Sequence, residues 1–138
     1  MSIFGFLKES SASQPSVIQS LESATGLEDV LAQSELAPVL LFKHSSSCGV
    51  SFFARREVQL LGDDSDPSVF EIVVQKSRDL SNHVADHFGI RHASPQAILV
   101  RDRKAVWNAS HGGITTDSLR SASVKHTGAP RPTDRPSA

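Results

Sequence analysis

A chain of 138 residues suits one domain and is long enough to bury a core without disulfide or metal staples. Its 15 acidic and 14 basic side chains leave a formal net charge of -1, which excludes an electrostatic nucleic-acid binder. With 38% hydrophobic and 21% charged residues it has a globular composition, and no run nears the ~20 apolar residues that span a bilayer.

Residues 1–15 are mostly small and polar after Phe4 and Phe6 and end at Pro15, so a flexible leader is expected there. The leader has neither a basic start nor a long apolar stretch and does not read as a secretory signal. Val17, Ile18 and Leu21 suit a short strand or a helical turn. Thr25-Gly26-Leu27-Glu28 has the capping-box pattern, and Leu27, Val30, Leu31 and Leu36 follow at helical spacing until Pro38. Val39-Leu40-Leu41-Phe42 is an apolar run, as in a strand buried on both faces. After Cys48, the residues Val50, Phe53, Ala54, Val58 and Leu61 mark a helix that Gly62 is expected to close. The turn cluster Asp63–Pro67 leads into a second strand, Val69 to Val74. Leu80, Val84, Ala85 and Phe88 give an amphipathic helix ended by Gly89. Ala97–Val100 and Ala105–Trp107 flank the polar turn Arg101–Lys104 and read as a hairpin. A last helix is expected over Thr116–Val124, and residues 125–138, with Pro130, Pro132 and Pro136, read as a disordered tail. The domain proper is then 16–124. A βαβ half followed by a ββα half is the plan of a single α/β domain of thioredoxin-like form, with a central mixed sheet flanked by helices.

Cys48 is the one cysteine in the chain, so no intramolecular disulfide can form. It stands where a buried strand runs through His44-Ser45-Ser46-Ser47 into a helix, and a helix N-terminus favours a thiolate over a thiol. Cys48-Gly49-Val50-Ser51 is a C-x-x-S: the attacking thiol is present, and Ser51 occupies the place of a resolving thiol, able to donate a hydrogen bond but not to close a disulfide. An inert buried cysteine is the plainer alternative. Ser94-Pro95-Gln96 precedes a strand; in this fold such a proline is commonly cis and exposes backbone beside the cysteine, while an ordinary loop proline would explain it alone. His44, His92 and His111 fall near strand or loop ends, where any one could serve the thiol as cationic neighbour or proton shuttle. His83 and His87 share a helix face at i, i+4, but no further ligand pair is near, so no metal is expected. Gly112-Gly113 allows close approach of backbone or ligand, and a turn needing positive φ explains it equally. Lys43, Arg78 and Arg91 are candidate anion contacts if the fold brings them to the cysteine face. Trp107 is a packing residue.

The chain resembles the monothiol bacilliredoxins, thioredoxin-like proteins of the bacillithiol system. The resemblance rests on Phe42-Lys43-His44-Ser45, Cys48 and Ser51, Arg78-Asp79 with Ser81-Asn82, Arg91-His92, Ser94 to Leu99, Trp107, Ala109-Ser110-His111 and Ile114-Thr115, over roughly residues 25 to 120. It implies a cytoplasmic, stress-related monothiol oxidoreductase whose nucleophile is Cys48, with Pro95 as the cis-proline. Ser51 and His44 support the thiol, and Ser94, Gln96, Gly112 and Gly113 contact the small thiol or the client. S-thiolated client proteins are the expected partners and bacillithiol, or another low-molecular-weight thiol, the co-substrate; no bound cofactor, nucleic acid or membrane is expected. Gly49 departs from the family, which usually has proline after the cysteine, and Gly112-Gly113 replaces bulkier residues. Two other readings compete: a non-catalytic binding or stress protein whose cysteine is only oxidatively modified, and a metal- or cluster-carrying module using Cys48 with an outside thiol.

Overall fold

The computed structural model describes residues 17–127; the expected leader 1–15 and the 128–138 part of the expected tail lie outside the described residues. Five strands form one sheet: β1 (Ile18–Ser20), β2 (Val39–His44), β3 (Ser68–Val73), β4 (Gln96–Arg101) and β5 (Lys104–Ser110). Their order across the sheet is β1-β3-β2-β4-β5, with β1, β3 and β2 parallel and β4 and β5 antiparallel to their neighbours. Four helices cover it: α1 (Ala24–Gln33), α2 (Gly49–Gln59), α3 (Arg78–Phe88) and α4 (Thr116–Lys125), and a 3-10 turn, His111–Gly113, follows β5. This is the expected mixed-sheet α/β domain of the thioredoxin plan.

Side chains alternate across a strand, so β2 serves two cores at once. Leu40 and Phe42 pack with Ala54 and Val58 of α2 and Leu119 of α4. Val39 and Leu41 face the other way, onto Leu27 and Val30 of α1 and Leu80 and Val84 of α3. Each such fully buried side chain contributes about 1.5–3 kcal/mol, which makes β2 the anchor of the sheet.

Several local expectations need correction. The cap of α1 is Ser23, whose side chain accepts from the Gly26 N–H, so the helix starts two residues before the Thr25–Glu28 pattern suggested, and Leu36 lies beyond it in solvent. In α2 the buried stripe is Ser51, Ala54 and Val58, with Leu61 after it; Val50 and Phe53, expected in the core, are exposed. The stripe is set by Ser51, a small polar residue that fits against the sheet where an aromatic ring would not. That helix ends at Leu60 in ordinary helical conformation, and Gly62 instead donates its N–H to Asp66. Gly89 does end α3 in the left-handed conformation, at φ 66. The hairpin turn is two residues, Asp102 and Arg103, both at positive φ, which matches the twist of the flanking strands. Arg101 pins that hairpin to α1, its Nη1 donating to the carbonyls of Ser34 and Glu35 at 3.0 and 2.9 Å.

Candidate active site

Everything singled out around Cys48 comes from one end of the sheet. Parallel pairing sets the end of β2 beside that of β3, with the Val74 N–H donating to His44 O at 2.9 Å. Antiparallel β4 starts at the same end, where Gln96 pairs with Lys43. The Ser94–Pro95 peptide is cis, and Pro95 O accepts from the His111 N–H at 3.1 Å, which draws the 3-10 turn to the same edge.

Cys48 is the N-cap of α2, with extended backbone and half-buried. Its carbonyl accepts from the Phe52 N–H at 3.2 Å and opens the helix, but its side chain makes no capping bond. The caps of α1 and α4, Ser23 and Thr115, do supply a side-chain oxygen. At α2 the first-turn N–H groups therefore have no side-chain acceptor from the cap.

Ser51 is fully buried, and its Oγ accepts from the Ser45 N–H at 3.2 Å. The hydroxyl thus ties the cysteine loop to the helix, and its own proton remains to be donated. The loop is held from its other side by a residue that sequence reasoning missed. Gln75, just past β3, donates from Nε2 to Ser45 Oγ and Ser47 Oγ at 2.9 and 3.0 Å, and its Oε1 accepts from the Ser46 N–H at 3.2 Å. The run of three serines before Cys48 was the available signal: it needed a partner rich in both donors and acceptors, which an amide provides.

His44 ends β2 on the α2 side, stacked on Phe42 at 5.9 Å between ring centroids. Its Nδ1 is buried without a hydrogen-bond partner. Burial lowers its pKa below the ordinary 6.5, Glu71 opposes this and Arg55 adds to it. The ring is therefore neutral near pH 7, which suits a proton acceptor and not the cationic neighbour that the sequence also allowed. Below it lies an ion pair, again missed: Arg55 of α2 reaches Glu71 of β3 at 2.6 Å, with the carboxylate side chain only 10% exposed. Glu71 interrupts the apolar run of β3, and that interruption was its trace in the sequence.

On the opposite face of β2, Lys43 is fully buried and its Nζ lies 3.2 Å from His92 Nδ1, which is also 3.2 Å from Ser81 Oγ. Burial lowers the Lys43 pKa to about 8. His92 is held below its ordinary value by burial and then by the charges of Lys43 and Arg78. Gln96 donates to Arg91 O at 2.9 Å, while its buried Oε1 has no partner. Ser94 is half-buried beside the cis-proline. Of the glycine pair, neither has positive φ; that conformation belongs to His111, at φ 52. The turn explanation for Gly112-Gly113 is thereby set aside. Gly112 has open space where a Cβ would stand and lines a cavity of about 270 Å³ with Val50, Phe53 and Leu60 of α2. Phe52, Phe53, Val50 and Leu60 together form an exposed apolar face on that helix. His83 and His87 lie on the solvent side of α3, away from this edge, the latter edge-on to Phe88.

Residues 19–119 match the family described as monothiol bacilliredoxin BrxC. The chain belongs to the monothiol bacilliredoxin family. Among solved structures it is similar to a protein described as a candidate oxidoreductase with a thioredoxin fold, at 32% identity and TM-score 0.71, over 77% of this chain and 93% of that one. Thioredoxin NaTrxh of Nicotiana alata (21% identity, TM-score 0.66, 86% and 99% covered) and a mutant thioredoxin of Halobacterium salinarum (23%, 0.65, 81% and 92%) share the fold. This bacilliredoxin-family chain is a thiol oxidoreductase built on that fold. No helix among its described residues is long and apolar enough to cross a membrane.

Proposed function

We propose that the chain removes a low-molecular-weight thiol, bacillithiol by the character of its family, from mixed disulfides on client proteins in the cytoplasm. The observation that carries this reading is the placement of the chain's one cysteine: Cys48 caps α2, with Ser51 three residues on, inside the family match. The thiolate of Cys48 attacks the small thiol's sulfur in the mixed disulfide. The old S–S bond breaks, the client leaves as a thiolate and takes a proton, and the small thiol is now bonded to Cys48. A second small thiol, as thiolate, attacks that bond, frees Cys48 and departs as a symmetrical disulfide, which a separate reductase returns to thiols with two electrons. The exchange uses no metal, nucleotide or flavin.

The other residues have supporting parts. Ser51 donates its hydroxyl proton toward the sulfur, and neutral His44 accepts the proton released when the thiol ionises. The backbone of Ser94 beside cis-Pro95 pairs with an extended client segment, and Gln96 fixes that loop through Arg91 O. Gly112 leaves room for the client beside the exposed face of α2, and Gly113, next to it, packs against Ala109.

The test is the intact mass of the reduced protein after brief exposure to a bacillithiolated test protein, with Cys48→Ser as control. Transfer of one bacillithiol mass to wild type, with the test protein freed and the variant blank, is expected. Transfer from glutathione or coenzyme A mixed disulfides alone would keep the chemistry and replace the thiol. No transfer from any of them would leave Cys48 a passively oxidised residue.

A further inference from the structure

Four of the six large apolar side chains exposed among the described residues belong to one helix: Val50, Phe52 and Phe53 in α2 and Leu60 at its C-cap. Val50, Phe53 and Leu60, at i, i+3 and i+10, fall on one stripe of that helix. Glu57, on the same stripe, turns its charge aside: its carboxylate accepts from the Thr116 N–H and hydroxyl at 2.8 and 2.9 Å. The stripe therefore presents carbon, and with Gly112 and Ile114 it lines the cavity of about 270 Å³ described above. A continuous exposed apolar face of this kind marks a docking surface.

The chain enters the fold at the foot of the stripe. Val17, the first described residue, packs into the core shared by α2 and α4. Its Cγ1 lies 3.5 Å from where a Cβ on Gly62 would stand, and Gly62 is two residues past Leu60. Ahead of Val17, Ile3, Phe4, Phe6 and Leu7 put four large apolar side chains into five positions, and residues 8–16 carry none. The family match begins at residue 19, so this apolar cluster lies outside the matched part of the chain. From Phe6 to Val17 is a step of 11 residues, and a Ser-rich linker of that length spans about 18 Å on average. Helix α2, with its 11 residues, is about 16 Å long. The linker thus matches the length of the stripe without being stretched. It also keeps the apolar cluster at an effective concentration of about a millimolar, so a contact too weak to hold a free peptide covers the face within one chain.

We propose that the leader docks on α2 of its own chain, with Phe4 and Phe6 on the stripe of Val50, Phe53 and Leu60 beside Gly112. Cys48 caps the same helix, two residues before Val50, so a client reaching the sulfur sets down on this stripe as well. The docked leader therefore competes with clients for α2 and leaves Cys48 open to small disulfides. The docking stands on the stripe and the leader alone; the competition rests on the exchange reading above and adds a restraint on client access.

Two measurements on the full chain test this. The first attaches a nitroxide to Ser2→Cys in Cys48→Ser protein and compares amide intensities before and after the label is reduced. The amides of Val50, Phe53 and Gly112 should lose at least about half their intensity, and that of Val84 in α3, across the sheet, should keep its own. The loss should survive fivefold dilution with unlabelled protein and disappear with Phe4→Ser and Phe6→Ser together. No loss at α2 overturns the docking, and a loss that dilution removes overturns it in favour of a second copy. The second measurement compares Phe4→Ser with Phe6→Ser against wild type in release of a small thiol from a bacillithiolated test protein. Release should rise about threefold or more, with attack on 2-hydroxyethyl disulfide changed less than twofold. An unchanged or slower release, or an equal rise with both substrates, overturns the competition. If Cys48 accepts no thiol from any source, the exchange reading fails, and the nitroxide measurement still decides the docking.

Discussion

Replacing Lys43 by methionine should stabilise the protein at neutral pH, and the gain should vanish in base. The side chain is fully buried, and methionine fills nearly the same volume without a charge. Burial lowers the amine from its ordinary 10.5 to about 8. At about 1.4 kcal/mol per pH unit, that gap corresponds to about 3 kcal/mol of penalty for the charged form in the fold. The sign follows from proton counts. Below pH 8 the amine is charged in both states and the whole penalty is present. Between 8 and 10.5 the unfolded chain holds a proton that the folded one has released, so wild-type stability rises with pH. Above 10.5 both states are neutral and the penalty is gone. Methionine also forfeits the 3.2 Å contact with His92, worth about 1 kcal/mol. The net expectation is a variant more stable by about 2 kcal/mol at pH 7 and less stable by about 1 kcal/mol near pH 11. Urea unfolding at pH 7, 9 and 11 measures both, with m-values checked for constancy. The chain has no tyrosine, and the other basic groups are common to both proteins and cancel in the difference. A pH-independent difference, or a variant less stable at pH 7, would show that Lys43 is not held as a costly buried cation.

Gln75→Ala removes three exposed hydrogen bonds to the Ser45–Ser47 loop, for a loss of about 1 kcal/mol, and should raise amide exchange at Ser46 well beyond that in α1; unchanged protection at Ser46 would rule out the clamp. Arg55→Ala strands the carboxylate of Glu71 and should cost about 2–3 kcal/mol, whereas Arg55→Ala with Glu71→Gln should cost less than that single change; a double variant at least as damaged as the sum would deny the coupling. A Cβ at Gly49 meets nothing within 4 Å, so Gly49→Ala should stabilise the first turn of α2 by about 0.5–1 kcal/mol, read as a raised thermal midpoint; a lowered midpoint would mean that the cysteine loop needs glycine there.

These predictions fall largely on residues that sequence patterns could not place, and the reason is the same in each case. Strand β2 was visible as four apolar residues because burial on both faces needs nothing but apolar side chains. Its last two residues, Lys43 and His44, lie past that apolar run and carry no strand signal of their own, since a lysine is buried there only because His92, 49 residues later, closes over it. Cys48 was legible because a strand-to-loop-to-helix transition is local, and the cis-proline because its loop precedes a clear hairpin strand. The helix after Cys48 was found, but helical spacing admits two stripes. The one through Val50 and Phe53 looked better than the true one, through Ser51, until the sheet beneath was known. The cap of α1 slipped by two residues for a related reason: Ser23 and Thr25 are both good caps, and only Thr25 has a glutamate three residues on.

What the sequence did display were two charges on apolar strands, Lys43 at the end of the β2 run and Glu71 inside that of β3. A charge in such a place must find its compensation across the fold, and the two differ in where they find it. Glu71 has Arg55, so its pair is closed and structural, beneath His44. Lys43 has only an imidazole that its own charge helps keep neutral, with Arg78 close by and no carboxylate joined to either. One strand-borne charge is thus neutralised by an ion pair and the other is met by a neutral ring. That asymmetry accounts for the opposite outcomes expected of the two: stability lost when Arg55 leaves Glu71 unpaired, and stability gained when the buried ammonium of Lys43 is removed.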